Sequence, residues 1–136
     1  MIKKVLIGTV AVFVGLEIVD YLVNEVILAS SYQTLTNLWR PDMKLGIFPI
    51  INVIIAFFFC FIFSKGYEGK GLMEGVRYGF YVGMMMSVPY AYGSYAVYPI
   101  PYALALQWFI YALIEYILMG CIVALVFGKK APAPAS

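Results

Sequence analysis

The sequence predicts an all-α integral membrane protein: a bundle of four transmembrane helices with both termini in the cytoplasm. Three observations lead there. The chain of 136 residues is 64% hydrophobic and only 12% charged, against about 25% charged in a soluble domain. So small a domain exposes much of its surface. Its apolar side chains therefore have no core large enough to enter, and lipid must be their solvent. The apolar residues also fall into four runs, each close to the ~20 residues that cross about 30 Å of hydrocarbon as a helix. The runs lack the alternation of barrel strands, the other structure able to cross a bilayer. Finally, the basic residues collect at alternate ends of the runs.

The first helix is expected over residues 5–29. Its basic start at Lys3 and Lys4, and the small residues Ala29, Ser30 and Ser31, have the look of a cleavable signal. The run is too long for a signal core, however, and it holds Glu17, Asp20 and Glu25, so it is read as a retained span. A loop follows from Ser30 to Leu45, with Tyr32 and Trp39 suited to the headgroup layer. In that loop Arg40-Pro41-Asp42 ends any local helix. The second helix is expected over 47–64, the third over 72–95 with an interruption at Pro89, and the fourth over 102–127. Residues 1–130 thus form one domain, and the tail 131–136, Ala-Pro-Ala-Pro-Ala-Ser, is expected to be disordered. Between the third and fourth helices stand Tyr90, Tyr92, Tyr95, Tyr98 and Tyr102, with Pro89, Pro99 and Pro101. These read as an aromatic belt at the outer leaflet or as the mouth of an aromatic pocket.

Orientation follows from charge. Lys3, Lys4, Lys65, Lys70, Arg77, Lys129 and Lys130 lie on one side, and only Arg40 and Lys44 on the other. Basic residues favour the cytoplasmic side. The predicted location is a bacterial inner membrane with both ends inside.

Gly71, Gly75, Gly79 and Gly83 recur at strict four-residue spacing in the third helix, and Ser87 and Ala91 continue the row. That spacing makes one stripe along the helix. In lipid, small residues let two backbones approach and gain van der Waals contact. The partner is either another helix of this chain or a helix of another subunit.

A charged side chain at mid-bilayer costs at least about 2.5–3.5 kcal/mol on insertion scales. Glu17 lies at the centre of the first helix and Glu115 at the centre of the fourth. At about 100° per residue, Glu17, Asp20, Tyr21 and Asn24 share one helix face, as do Trp108, Tyr111, Glu115 and Met119. Asn52 of the second helix is a further polar group at this depth, and Tyr78 and Tyr81 come from the third. No basic residue stands at the same level; Arg77 is near the cytoplasmic side with Glu74 as a local partner. The carboxyls cannot all be ionised in so apolar a place. They share protons or are neutralised by a bound cation. The candidate proton, cation or ligand site is therefore Glu17, Asp20, Asn24, Asn52, Tyr111 and Glu115. The competing reading makes the same groups hydrogen-bonded glue between helices.

Other chemistry is excluded residue by residue. The chain has no histidine, which removes histidine-based metal, haem and acid–base sites. Cys60 and Cys121 lie within apolar runs without redox spacing. The glycine series lacks the strand and the Lys-Ser/Thr ending of a phosphate loop. Only one Asp lies in a helix, so no intramembrane aspartyl dyad forms. No enzyme activity, cofactor, metal or nucleic-acid partner is expected.

With these features placed, the chain resembles small four-helix inner-membrane proteins of bacteria. The resemblance rests on the acidic first helix, the Leu38-Trp39-Arg40-Pro41 loop, the Phe-rich second helix and the Glu74–Gly83 stretch. It spans nearly the whole chain, and it implies a fold and a location but no activity. In length and in the position of Glu17 the chain is also similar to small multidrug-resistance transporters, whose first helix carries an essential Glu. It departs from them in Asp20, Glu25, Glu115 and its longer loops. Two functions are left open. One is a non-catalytic accessory or scaffold subunit of a larger membrane assembly. The other is a small proton- or cation-coupled transporter, working as a homo-oligomer, with Tyr21, Trp108 and Tyr111 as walls of the site.

Overall fold

The computed structural model describes residues 2–33, 42 and 44–128. The expectations for Trp39, Arg40, Pro41, Lys129, Lys130 and the 131–136 tail lie outside the described residues. Helix α1 (Ile2–Tyr21) runs into a π-helical turn, Leu22–Ile27, and a short helix α2 (Ala29–Gln33) follows. Three long helices complete the order: α3 (Ile47–Gly66), α4 (Leu72–Val97) and α5 (Tyr102–Phe127). No strand occurs among the described residues.

Three of these segments, Ile2–Ile27, Ile47–Gly66 and Tyr102–Phe127, are long and apolar enough to cross a membrane. Helix α4 has 26 residues and so the length, about 39 Å at 1.5 Å per residue. Its glycines and tyrosines, with Glu74 and Arg77, leave it less apolar than the other three. The expectation of four spans is therefore met for three helices. The outward faces agree with lipid as solvent, because Val10, Ile50, Phe58 and Leu125 are all more than half exposed. Soluble monomers rarely present apolar patches on this scale.

Helix α1 lies between α3 and α5, and α5 in turn packs along α4. Tyr78 links α3 to α4: its ring packs on Phe59 at 4.7 Å and Phe63 at 5.2 Å, and its hydroxyl donates to the Phe59 carbonyl. The first and last described helices meet at one end of the bundle. There Lys4 Nζ donates to the Phe127 carbonyl at 2.8 Å, and the Tyr67 hydroxyl donates to the Phe127 and Gly128 carbonyls. These donors satisfy carbonyls that a helix C-terminus leaves open.

The glycine stripe packs within the chain. Gly75, Gly79 and Gly83 are buried against α5. A Cβ on Gly75 would strike the Gly120 carbonyl and lie 2.5 Å from the Ala124 Cβ. One on Gly79 would meet the Tyr116 carbonyl and the Ile117 Cα. Gly120 is the reciprocal small residue, pressed against the Gly75 carbonyl, and nothing in the four-residue spacing had announced it. Gly71 is a correction: it precedes α4 and has φ 87°. It serves the turn out of α3, in a conformation that a side chain disfavours, and not the helix contact. Glu74 is another, since its oxygens accept the Glu68 and Lys70 amides at 2.6 and 3.0 Å instead of pairing with Arg77.

The core is divided in two. Toward the joined helix ends, Val5, Val12, Leu16, Phe59, Phe63, Met119, Val123 and Phe127 form one apolar cluster. Toward the opposite end, Leu28, Ala91, Ile100, Leu104, Ala105 and Trp108 form another. The polar residues sit between them.

Candidate functional site

Asn52, one and a half turns into α3, is among the few buried polar residues of the bundle. Its amide nitrogen donates both hydrogens to carboxyls of α1: to Glu17 Oε1 at 2.8 Å and to Asp20 Oδ2 at 2.9 Å. The bridge is possible because Glu17 and Asp20 are three residues apart and so neighbours on one helix face. From the other side comes Glu115, midway along α5. Its carboxyl reaches hydrogen-bonding range of the Asp20 carboxyl. Two carboxylates only repel, so a bond between them requires a proton on one. The structure thus gathers Glu17, Asp20, Asn52 and Glu115 from three helices into one layer, and among the described residues no basic side chain stands in it.

Asn24 joins from the π-helical turn. Its Nδ2 donates to the Asp20 carbonyl at 3.0 Å, and its Oδ1 accepts from the Tyr32 hydroxyl at 2.7 Å. Tyr32 accepts in turn from the Trp108 indole at 2.8 Å. A hydrogen-bonded chain therefore runs from Trp108 through Tyr32 and Asn24 to the backbone of Asp20. Tyr90 stacks on Trp108 at 5.3 Å, and its hydroxyl lies in the field of Tyr32, Asp20 and Glu115. Tyr116, next to Glu115 in sequence, packs on Phe59 at 6.1 Å and lies in the field of the same carboxyls.

Three further residues of the sequence-derived site are Tyr111, Tyr21 and Trp108. Tyr111, one turn before Glu115 on α5, packs against the apolar cluster around Trp108. Tyr21 is 62% exposed and forms no wall; it lies on the lipid side of the face that Asn52 engages. Trp108 does wall the site, but through its bond to Tyr32 and its stack on Tyr90. The sequence reads Tyr32 as a headgroup-layer residue, and Tyr90 as part of an aromatic belt or of a pocket mouth. The sequence signal for them was weak: both are tyrosines near helix ends, and only folding brings them beside Asp20.

The arrangement sets three carboxyls beside one another, with Asn52 bridging Glu17 and Asp20 and Glu115 next to Asp20. Among the described residues no group of three or more histidine, cysteine or acidic side chains is placed to hold a metal ion. Every buried side-chain nitrogen or oxygen among the described residues has a hydrogen-bond partner, so the layer is wired and not merely tolerated. Across known protein families, curated proteins and solved structures, nothing matches this chain.

Proposed function

We propose that this chain is a small proton-coupled membrane transporter, in which Glu17, Asp20 and Glu115 exchange a proton for a cationic solute. The observation that carries the reading is the approach of Asp20 and Glu115 within the span, with no basic side chain among the described residues to neutralise them. Ionisable groups within a membrane that lack a counter-charge mark ion and proton pathways. Asn52 holds Glu17 and Asp20 in register, so a proton lost from one carboxyl is felt by the others. A cation entering the layer would replace the proton electrostatically and release it.

The same reading takes α4 as a fourth span, paired along α5, with both termini cytoplasmic in a bacterial inner membrane. Seven of the nine basic residues on one side support that orientation. An accessory role within a larger assembly draws on the glycine stripe, the small soluble mass and the exposed aromatic positions; of these, the stripe is covered by α5 of this chain.

The test is proton release on binding. Purified protein in weakly buffered detergent is mixed with a lipophilic cation such as tetraphenylphosphonium while pH is recorded. The wild type should release protons on mixing; Glu115→Gln and Glu17→Gln should not, while retaining helical circular dichroism. Equal traces from wild type and both variants would overturn the reading. Native mass spectrometry then separates the alternatives: a homo-oligomer fits transport, and fixed company with unrelated chains fits a subunit.

A further inference from the structure

The Asp20–Glu115 contact also sits beside an irregular joint of the backbone, and its effect on shape does not require that any cation be exchanged. Asp20 is the penultimate residue of α1, and the π-helical turn Leu22–Ile27 follows directly. There the Leu28 amide donates to the Val23 carbonyl, five residues back, at 2.8 Å. Such a turn winds one more residue into the helix than the α form does. The turn contains neither proline nor glycine, so no residue in it forces the widening.

What holds it is a tie to α5 on either side. Before the turn, the Asp20 carboxyl meets that of Glu115, and the bond needs a proton on one of them. Within it, Asn24 Nδ2 donates to the Asp20 carbonyl at 3.0 Å. Beyond it, Leu28 is fully buried and Tyr32 accepts from the Trp108 indole at 2.8 Å. Unwinding the extra residue would rotate everything after the turn by about 100° and carry Tyr32 off Trp108. The other end of the bundle is clamped separately, by Lys4 and Tyr67 on the last carbonyls of α5.

The groups facing the pair leave the proton as its only counter-charge. Glu17 shares its helix and α3 meets it with the neutral amide of Asn52. Tyr90 of α4 and Tyr116 of α5 lie in the field of both carboxyls, and Tyr90 also in that of Tyr32. Glu25, in the turn itself, is exposed. None of these is a cation.

We propose that the Asp20–Glu115 contact is a proton-operated latch. With the proton shared, the π-turn is held and Tyr32 rests on Trp108. When the proton passes to water, the two carboxylates part, the turn relaxes to α-helix, and the segment 28–33 leaves α5.

The test is distance measurement between spin labels in detergent, in a Cys60→Ala, Cys121→Ala background. Ser30→Cys with Ala103→Cys reports the latch, and Ile7→Cys with Leu125→Cys the clamped end; all four positions are exposed. From about pH 5 to about pH 10, a range that spans exposed and buried carboxyls, the latch pair should gain a second population. Its displacement should reach up to about 8 Å, the swing of a helix surface 10–12 Å across through about 100°. The clamped pair should stay constant. Glu115→Gln keeps a donor to Asp20 that no pH removes, and should hold the first population throughout. Removing Val26, which is 59% exposed, leaves an α-helical count and should give the displaced distance at every pH. A latch distance indifferent to pH, or a Glu115→Gln chain that shifts as the wild type does, would overturn the proposal. So would equal movement at both ends, or a pH response that survives loss of Val26. Cation-linked proton release without the shift would leave transport standing and the latch refuted.

Discussion

Asn52 is the residue on which the polar layer turns. Its two N–H groups are the link between α3 and the carboxyls of α1. Replacing it with Ala strands two carboxyls together, and hydrogen bonds to charged groups contribute about 1.5–3 kcal/mol. Asn52→Ala should lower stability by about that amount in thermal unfolding in detergent, and Asn52→Asp should cost more, since it adds a carboxyl where a donor stood. Tyr32, outside the spans, offers a second residue-scale test. Burial raises its phenol above the ordinary value of about 10; the bond from Trp108 works against this, and the charge of Glu25 adds to it. A raised phenol keeps its proton, so its contribution is complete below about pH 10 and is lost as pH rises through the raised value. Tyr32→Phe leaves the Trp108 N–H and the Asn24 oxygen unpartnered and should cost about 1–3 kcal/mol. In a Trp39→Phe background the loss should be visible as a shift in Trp108 emission.

At the scale of the element, the α4–α5 contact has a sharp internal control. A side chain on Gly79 would collide with the backbone of Tyr116 and Ile117, whereas nothing lies within 4 Å of a Cβ on Gly93. Gly79→Ala should destabilise by about 1–3 kcal/mol through overpacking. Gly93→Ala in the same helix should be neutral or stabilising by up to about 1 kcal/mol. Gly79→Leu should abolish the close pairing, seen as loss of a crosslink between cysteines placed on the two helices. Unchanged melting of Gly79→Ala relative to Gly93→Ala would contradict the packing described.

The same contact shows what a sequence carries and what it withholds. Four-residue spacing fixes a stripe on α4, because helix geometry alone decides it. The identity of the facing helix, and Gly120 as its complement, depend on rotation and translation between helices, which spacing does not encode. Gly71 matched the spacing but fell outside the helix, since only the turn geometry shows that φ must be positive there. Glu17, Asp20, Asn52 and Glu115 were legible because charge and amide are costly at that depth. Tyr90 and Tyr32 were not, because tyrosine at a helix end is ordinary in a membrane protein.

At the largest scale, the all-helical class of the described residues and three helices long and apolar enough to cross a membrane follow directly from composition and run length. The fourth is a helix of sufficient length whose apolarity is modest, and its packing face fits α5. On the reading proposed here, that gives α4 a partner it needs in order to stay in lipid. A chain cut after Pro101 and fused there to a reporter active only outside the cytoplasm should give weak signal. Supplying residues 102–136 as a separate polypeptide should restore it, and strong signal from the cut chain alone would show that α4 enters unaided. The glycine face of α4 thereby acquires a meaning in time as well as in space. If α4 is a fourth span, synthesis delivers it to the membrane before the segment that covers it exists, so on that reading its final placement waits for the ribosome to finish α5, and the two helices enter the bilayer as a hairpin.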